Sequence, residues 1–345
     1  MSIEDLIANE SVMITVTHNG LIKRTNTNAF KAQKRGGKGV IGMKTRKATT
    51  EKEVSDFIEH LFPANTHDYL MFFTNSGRVY VERVHEIPDL GRASKGRSIA
   101  NVLELKHNEK IADVIRVQAV YGENKEDLTW QQDRCIFFTT RSGTVKKTAL
   151  NDFANVRRGG IIAIKIVPGD TLIEARFTTG HDDVILVTAD GQSIRFHEDG
   201  VRTMGRAAAG VRGIRLGKDD HVVALSIVSV DATLLVAGEN GIGKRTVFDG
   251  YRLQSRGGKG VKTMKITKKT GKVIGGLTVH NGDEIMLITV GGQMVRTAVD
   301  GIRLTGRNTQ GVRLVNVDDK DRLQDIAPVM SAEQAVESDA EEASS

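Results

Sequence analysis

The segment QKRGGKG at residues 33–39 is the part of this chain best suited to bind an anion. Its members are Gln33, Lys34, Arg35, Gly36, Gly37, Lys38 and Gly39. Because glycine has no side chain that would keep an anion away, such a loop can place backbone N–H groups and three cations against one phosphate. The competing interpretation is a plain turn between strands. We predict a phosphate contact here, and a partial copy, QSRGGKG at residues 254–260, adds Arg256 and Lys259 as candidates.

Basic residues also recur three or four positions after the glycines that are described below as turn glycines. They are Lys23, Arg24, Lys146, Lys147, Arg195, Lys244, Arg245 and Arg296. If these glycines mark equivalent points of a repeated unit, the basic residues form a ring of positive charge that suits a polyanion. In any single unit, protection of a sheet edge against pairing with another chain would explain them better. Recurrence in five of six units, with Val81 as the exception, favours the polyanion track.

Other chemistry is not indicated. Residues 238–245 read GENGIGKR, close to a phosphate-binding P-loop, but Arg245 stands where the Mg²⁺-binding Ser or Thr is required. The nine His residues lack metal-ligand spacing and Cys135 is the one cysteine, so no zinc site is predicted. The four Tyr residues have no accompanying acid–base cluster. We therefore predict no catalytic residue, no metal and no cofactor in this chain.

The elements that must position these residues form a repeat. An apolar strand, a turn that ends in glycine and a strand with basic residues recur six times, with turn glycines Gly20, Gly77, Gly143, Gly191, Gly241 and Gly292. Asn-Gly, Ser-Gly, Asp-Gly and Gly-Gly turns are typical of tight hairpins. A second glycine follows each by 17 or 19 residues, at Gly39, Gly96, Gly160, Gly210, Gly260 and Gly311. Each second glycine opens another strand, and an apolar segment such as LIEARF joins each copy to the next.

Four short strands in a unit of about 50 residues are typical of a propeller blade. We predict an all-β, six-bladed domain over residues 1–330, with hairpins at residues 20, 77, 143, 191, 241 and 292, followed by a disordered tail over residues 331–345. The joining segment occurs at both ends, as Ile3–Ile7 and as Leu323–Val329, so either copy can close the ring. Polar insertions near residues 45–55 and 121–132 are predicted to be surface loops.

The charge of the chain is divided between a basic body and an acidic tail. The sequence has 49 Lys and Arg against 43 Asp and Glu, a net charge of +6, and the last fifteen residues contain no Lys or Arg. The acidic residues of that tail are Glu333, Glu337, Asp339, Glu341 and Glu342, so the rest of the chain has a net charge of +11. This asymmetry points to nucleic acid or another polyanion, and the tail is predicted to compete with it.

The cellular location is predicted from what the sequence lacks. One cysteine cannot form an internal disulfide, and no apolar stretch approaches the roughly 20 residues of a membrane span. The N-terminal segment is acidic, unlike a signal peptide. We expect a cytoplasmic protein without a membrane partner.

The six repeats, the Gln33–Gly39 segment and the acidic tail together resemble the C-terminal domain of the A subunit of bacterial DNA gyrase, over about Ile3 to Val329. In that family Arg is commonest at the position of Lys34, a change that keeps the charge but loses a planar donor fork. The resemblance implies a six-bladed β-pinwheel whose outer rim wraps duplex DNA, with residues 33–39 as the wrapping element. It implies no sequence specificity and a nucleoid-associated location.

The resemblance also implies what this chain does not do alone. The nucleophilic Tyr of the family belongs to the N-terminal cleavage part of the same polypeptide, and ATP, used with Mg²⁺, binds the B subunit of an A2B2 assembly. This chain would then give the ATP-dependent enzyme its negative supercoiling without cutting DNA itself. Two alternatives remain open: a topoisomerase IV C-terminal domain, in which the seven-residue segment is degenerate or missing, and a protein-binding propeller scaffold.

Overall fold

The computed structural model describes residues 6–26, 56, 58–91, 94–118, 120–121, 128–129, 134–291 and 293–329. Within these ranges the chain forms six antiparallel sheets, one small two-stranded ladder, short 3-10 turns and no α-helix, which confirms the all-β prediction. Each sheet contains one of the predicted hairpins, and we number the sheets as blades one to six in chain order. The 3-10 turns span Val84–Glu86, Ile99–Asn101, Leu150–Phe153, Glu198–Gly200, Phe248–Gly250 and Val299–Gly301.

The blades are described here from the innermost to the outermost strand. Blade one contains β3 (Ile58–Asn65), β1 (Ser11–Thr17), β2 (Leu21–Asn26) and β6 (Arg97–Ser98). Blade two contains β7 (Ile111–Val117), β4 (Tyr69–Thr74), β5 (Arg78–Arg83) and β12 (Ile161–Ile162). Blade three contains β13 (Leu172–Thr178), β10 (Cys135–Thr140), β11 (Thr144–Ala149) and β16 (Val211–Arg212).

The remaining three blades follow the same order. Blade four contains β17 (Val222–Ile227), β14 (Asp183–Thr188), β15 (Gln192–His197) and β20 (Val261–Lys262). Blade five contains β21 (Val273–His280), β18 (Ala232–Gly238), β19 (Ile242–Val247) and β24 (Val312–Arg313). Blade six contains β25 (Leu323–Val329), β22 (Glu284–Thr289) and β23 (Met294–Ala298). The ladder of β8 (Val120–Tyr121) and β9 (Leu128–Thr129) lies in the predicted second insertion.

The outermost strand of a blade comes from the following repeat. Strand β16, which follows Gly210 of the fourth repeat, pairs with β11 of blade three, and β24 of the sixth repeat pairs with β19 of blade five. Within the described residues, the second to sixth repeats each contain the predicted four strands, but the expectation that a contiguous unit forms one blade is wrong. The predicted strands after the second glycines are also only two residues long where they are described. Neighbouring blades are therefore joined by backbone hydrogen bonds as well as by side-chain packing.

The turn glycines make this exchange sterically feasible. Gly241 has a φ of +79°, and a Cβ there would lie 2.3 Å from the carbonyl oxygen of Val315, which belongs to the donated segment. A non-glycine residue would meet both a strained backbone and a steric clash. The hairpin turn and the donated strand thus require glycine at the same point.

The core lies between the blades. Between blades two and three, Phe73 packs edge to face against Phe138 and Phe153, with ring centroids 5.3 and 6.4 Å apart. Burial of one such side chain contributes about 1.5–3 kcal/mol. Because blade three packs on both faces, its hairpin strand β11 has no solvent face, and residues 145–148 are all buried.

The inner strands surround a central channel and close the ring. Strand β25 is the innermost strand of blade six and contacts β3 of blade one. The described residues of the N-terminal copy of the joining segment, Leu6 and Ile7, lie outside the sheets, and 74% of the surface of Leu6 is exposed. The copy at Leu323–Val329 therefore closes the ring.

Candidate nucleic-acid interface

The outermost strands form the perimeter of the disc and carry exposed cations at repeated positions. These cations are Arg97, Arg212, Lys262 and Arg313, in β6, β16, β20 and β24. In β12 the residue equivalent to Arg212, Lys262 and Arg313 is Ile162, which is 46% exposed. These residues were not among the predicted site residues, although Arg212, Lys262 and Arg313 each stand two positions after a second glycine.

A second series of exposed cations follows three residues later. Lys165, Arg215 and Lys265 are exposed, and their backbone N–H groups are held by the loop of the next repeat. The N–H of Lys165 donates to Ala208 O at 3.1 Å, that of Arg215 to Gly258 O at 2.8 Å and that of Lys265 to Thr309 O at 2.9 Å. The backbone geometry therefore fixes one cation per blade on three successive blades. We call Lys165, Arg212, Arg215, Lys262, Lys265 and Arg313 the perimeter cations.

Three of the predicted rim residues are instead buried. Lys23, Lys146 and Lys244 each have 0% exposed surface. Their ammonium groups donate to backbone carbonyl oxygens of the following repeat, for example Lys23 Nζ to Gly91 O at 3.2 Å and Lys146 Nζ to Arg206 O at 2.6 Å. A buried ammonium cannot reach a phosphate, so burial contradicts the prediction that these lysines lie on an exposed rim.

In blades three and five, the basic residue directly after the buried lysine binds a backbone carbonyl at the 3-10 turn of the next repeat. Lys147 Nζ donates to Glu198 O at 3.1 Å and Arg245 Nε to Ile302 O at 2.9 Å, and both side chains are only 5% exposed. The exposed-rim prediction is wrong for these two residues as well. Each connects its blade to the turn that begins the next connecting loop.

Arg24, Arg195 and Arg296 keep part of their surface in solvent. Arg24 Nε donates to Ile87 O at 2.8 Å, and Arg195 donates to Phe248 O at 2.9 Å and to the carboxylate of Asp183. Arg296 is the most exposed and pairs with Glu284 through Nε at 2.8 Å. Their guanidinium groups are thus engaged within the protein, and a role in DNA binding stays a prediction.

The loop at residues 254–260 separates its two candidate residues. Arg256 is half-buried, with Nε donating to Gly200 O at 2.6 Å and Nη1 to Arg212 O at 3.1 Å. Lys259 is exposed to solvent. Arg256 therefore fastens the loop to the neighbouring outer strand, whereas Lys259 can contact an external phosphate.

Two sets of predicted residues lie outside the described part of the chain. The first is the Gln33–Gly39 segment, with Gln33, Lys34, Arg35, Gly36, Gly37, Lys38 and Gly39. The second is the acidic tail, with Glu333, Glu337, Asp339, Glu341 and Glu342. Their roles stay predictions.

The central channel has a volume of about 1540 Å³ and walls of mixed charge. Arg176 binds the carboxylate of Asp113 and lies 3.0 Å from Glu174 Oε2. Burial raises the pKa of Glu174 to about 7 even though Arg176 opposes the shift. Acidic and basic groups therefore compensate one another here, and this surface suits a polyanion less well than the perimeter does.

One group among the described residues could hold a metal ion. Ligand atoms of His18, Glu59 and Asp325 lie within 4.8 Å of one another where blade one meets blade six. His18 Nδ1 lies 3.3 Å from Glu59 Oε1, and this hydrogen bond raises the pKa of His18. Burial and the nearby Glu59 carboxylate raise the pKa of Asp325 to about 7. Hydrogen bonds thus link the Glu59 carboxylate to both His18 and Asp325.

Residues considered for other chemistry have structural partners. The P-loop-like segment forms the turn between β18 and β19, so it leads into a strand as expected. Tyr80 and Tyr251 are buried, with their hydroxyl groups 2.6 Å from Glu109 Oε2 and Thr263 Oγ1. Cys135 is half-buried, and burial raises its pKa. In the described ranges no helix has the length and apolar character to cross a membrane.

Comparison with known protein families gives one match over almost the whole repeat region. The family described as "DNA gyrase C-terminal domain, beta-propeller" matches residues 12–65, 68–118, 136–179, 182–229, 232–280 and 283–330. Each matched segment starts at the first strand of a hairpin, or within one residue of its beginning, so the six segments correspond to the six repeats.

Curated relatives include the A subunits of DNA gyrase from several bacteria. The relative from Mycolicibacterium smegmatis is 41% identical over 340 residues, which covers 98% of this chain and 38% of the relative. The relative from Salmonella typhimurium is 42% identical over 323 residues, which covers 94% of this chain and 35% of the relative. The chain thus spans somewhat more than a third of the length of these relatives.

Two solved structures have a similar fold. The C-terminal domain of DNA topoisomerase IV superposes with a TM-score of 0.78 at 26% identity, covering 98% of this chain and 99% of the other. The C-terminal domain of DNA gyrase A superposes with a TM-score of 0.70 at 26% identity, covering 93% of this chain and 100% of the other.

Proposed function

Since the chain belongs to the family of DNA gyrase C-terminal domains, we propose that it binds duplex DNA with little sequence preference and bends it around its perimeter. The observation that carries the proposal is the repetition of the perimeter cations on the outer strands of successive blades and on the segments that directly follow those strands. A row of Lys and Arg that recurs every 50 or 51 residues, as in Arg212, Lys262 and Arg313, suits a phosphate backbone and provides no pattern for reading bases.

The energetics require several contacts at once. Bending about 40 bp through half a turn costs on the order of 10 kcal/mol by a smooth elastic estimate. About six to ten neutralised phosphates would offset a cost of this size at moderate salt. The perimeter cations and the predicted contact at residues 33–39 together provide enough positive groups. The few aromatic residues, 5% of the chain, favour contact with a duplex backbone over stacking on single-stranded bases.

In the whole enzyme, we propose that this bending presents a DNA segment for strand passage and so produces negative supercoiling. The chain itself would not cut DNA, because its four Tyr residues have no accompanying acid–base cluster in the sequence, and two of them, Tyr80 and Tyr251, are buried and engaged in hydrogen bonds. Cleavage would belong to the N-terminal part of the same polypeptide, and ATP and Mg²⁺ would bind the B subunit, in an A2B2 assembly at the nucleoid. Residues 331–345 would form a separate acidic segment that competes with DNA for the perimeter.

The test is a mobility-shift titration combined with a bending assay. A random duplex of about 100 bp should bind with an affinity that falls about 10³ to 10⁵ fold between about 50 and 200 mM salt. Ring closure of a short duplex by ligase reports bending. Binding without salt dependence, or without a change in ring closure, would contradict the proposal and favour a protein-binding scaffold.

The contribution of the Gln33–Gly39 segment is tested separately. Replacing Lys34, Arg35 and Lys38 together by Ala should weaken or shorten the wrap. Unchanged bending, and unchanged supercoiling by the reconstituted enzyme, would remove this segment from the interface.

A topoisomerase IV domain is the second candidate, favoured by the TM-score of 0.78 with such a domain. The intact seven-residue segment and the curated gyrase relatives favour gyrase. Supercoiling of relaxed plasmid by the reconstituted enzyme separates the two candidates, since an enzyme with a topoisomerase IV domain should relax DNA but should not introduce negative supercoils.

A further inference from the structure

The residue three positions after the turn glycine alternates around the ring. It is lysine in blades one, three and five, as Lys23, Lys146 and Lys244. It is uncharged in blades two, four and six, as Tyr80, Ile194 and Val295. The connecting loops alternate in the same order. Loops of the second, fourth and sixth repeats contain Gly-Arg, at residues 91–92, 205–206 and 306–307, whereas those of the first, third and fifth contain Gly-Gly.

Each buried lysine binds the Gly-Arg loop of the next repeat. Lys244 Nζ donates to Gly306 O at 2.7 Å, to the carbonyl of Arg307 and to Thr309 Oγ1 at 3.3 Å. Lys146 Nζ donates to Arg206 O and to Ala163 O, both at 2.6 Å. The carbonyl groups thus converge on an ammonium, as they would on a bound cation.

The Gly-Gly loops meet an uncharged side chain instead. In blade four, a Cβ at Gly258 would lie 3.7 Å from Ile194 Cδ1. In blade two, a Cβ at Gly160 would lie 2.8 Å from the ring of Tyr80. In the described blades, therefore, the identity of this one residue matches the class of loop that covers it.

The loops bound by lysine also hold perimeter cations. Thr309, whose hydroxyl group contacts Lys244, accepts the N–H of Lys265 through its carbonyl oxygen at 2.9 Å. Ala208, two residues beyond the carbonyl bound by Lys146, accepts the N–H of Lys165 at 3.1 Å. A displaced loop would therefore release the backbone of an exposed lysine.

We propose that Lys23, Lys146 and Lys244 are positioning residues that each select a Gly-Arg loop and hold it, and that Lys146 and Lys244 thereby keep the perimeter cations Lys165 and Lys265 in place for DNA. The DNA part of this inference rests on the proposed function. The loop part does not depend on it.

Burial is consistent with an internal role for these cations. Burial lowers the pKa of Lys146 to about 8; the Asp152 carboxylate opposes this shift and the Arg206 guanidinium adds to it. Burial also lowers the pKa of Lys244 to about 8, and the Arg307 guanidinium adds to that shift. Such a desolvation cost is offset by hydrogen bonds to the charged group.

The experiment compares Lys244→Met with a paired exchange in the full chain. Without DNA, amide hydrogen exchange at residues 305–311 and at Lys265 should rise about tenfold or more in Lys244→Met, because three acceptors lose their donor. Combining Lys244→Ile with the loop QSRGGKG in place of TGRNTQG should restore the protection, since blade four pairs Ile194 with that loop. DNA bending should fall in the first variant and return in the second.

The controls separate this inference from the proposed function. Lys272→Met removes one exposed lysine, paired with Asp190, and should leave the exchange of the loop unchanged. Unchanged exchange in Lys244→Met, a rise spread over the whole chain, or no rescue by the paired loop would each overturn the positioning role. If the wild-type chain fails to bend DNA while the exchange results hold, the proposed function fails and the loop assignment stands. Should Lys244→Met not fold, the same comparison at Lys23, with Gly91 and Ser94 as the carbonyl partners, decides the question.

Discussion

Arg307 Nη1 donates a hydrogen bond to the carbonyl oxygen of Lys262 at 3.0 Å, so the connecting loop of the sixth repeat is fastened to the outer strand of blade four. The same contact joins Arg256 of the fifth repeat to Arg212 in the outer strand of blade three. These guanidinium groups bind the backbone of residues whose side chains face solvent. The loop arginines therefore act within the protein, while the outer strands present exposed cations.

Replacing Arg212, Arg215, Lys262 and Lys265 together by Ala should weaken DNA binding without loss of the fold. Each phosphate contact contributes about 0.9 to the slope of log affinity against log salt, so four lost contacts should lower the slope by about 3 to 4. The affinity at low salt should fall by about 10² fold or more. Titrations at several salt concentrations measure both quantities.

The matched control removes four exposed lysines that lie away from the outer strands. These are Lys106, Lys110, Lys272 and Lys320. An equal loss of affinity in both variants would show that net charge alone governs binding, and would contradict a specific perimeter track.

Arg245→Met should lower the free energy of unfolding by about 2–4 kcal/mol, because it leaves Ile302 O and Asn281 Oδ1 without a donor in a buried site. The equivalent Arg296 pairs with Glu284 at the surface, so Arg296→Met should cost less than about 1 kcal/mol. Urea unfolding of the two variants provides the comparison. Equal losses would contradict the structural role assigned to Arg245.

The contrast between these two arginines shows what the sequence could and could not predict. The glycine register predicted six hairpins and their order because positive φ is a local requirement that only certain turn residues meet. Exposure is not local. In β19 the residues from Ile242 to Thr246 are all buried, since neighbouring blades cover both faces of the strand, and period-two alternation therefore gives no solvent face.

The perimeter was harder to predict for a related reason. A two-residue strand such as Val261–Lys262 is too short to show periodicity, and its partner, Gln192–Ser193, lies about 70 residues earlier in another repeat. Aligning the repeats on their second glycines would nonetheless have placed Arg212, Lys262 and Arg313 in one column. These three residues are exposed because each outer strand is donated to the preceding blade, and that donation is a property of the three-dimensional fold.

Gly260→Ala should destabilise the chain more than Gly169→Ala. Both glycines have positive φ, +73° and +83°, which costs Ala about 1–2 kcal/mol. At Gly260 a Cβ would also lie 2.0 Å from Ser193 O, in the pairing of β20 with β15, whereas at Gly169 it meets open space. Thermal unfolding should give a lower midpoint for Gly260→Ala. A larger loss at Gly169 would contradict the close approach.

Deletion of residues 331–345 should tighten DNA binding at low salt. The segment has five acidic residues and no basic ones, so it would compete with phosphates for the perimeter cations if it reaches them. The gain should shrink as salt rises, because screening weakens the competition. A control in which the five acidic residues become Gln or Asn should reproduce the deletion. Unchanged affinity in both variants would remove the tail from regulation of binding.

Asp325→Asn should change how stability depends on pH. The pKa of Asp325 is raised to about 7 by burial and by the Glu59 carboxylate, compared with an ordinary value of 3.8. Between these values the folded chain binds more protons than the unfolded chain, so the stability contributed by this group is present below about pH 4 and is lost as pH rises towards 7. A shift from 3.8 to about 7 corresponds to roughly 4 kcal/mol, since one pKa unit is worth about 1.36 kcal/mol.

The variant cannot ionise, so its free energy of unfolding should fall less between about pH 4 and 7, and it should be more stable than the wild type above pH 7. Glu174→Gln is the matched comparison, because the pKa of Glu174 is also raised to about 7 but the residue lies on the inner strand of blade three. Because Asp325 meets Glu59 and His18 where blade six closes on blade one, the gain from Asp325→Asn should appear as slower amide exchange in β25 and β3. Slower exchange at β13 instead, or a wild-type pH profile in Asp325→Asn, would mean that this carboxyl group does not control the closure of the ring.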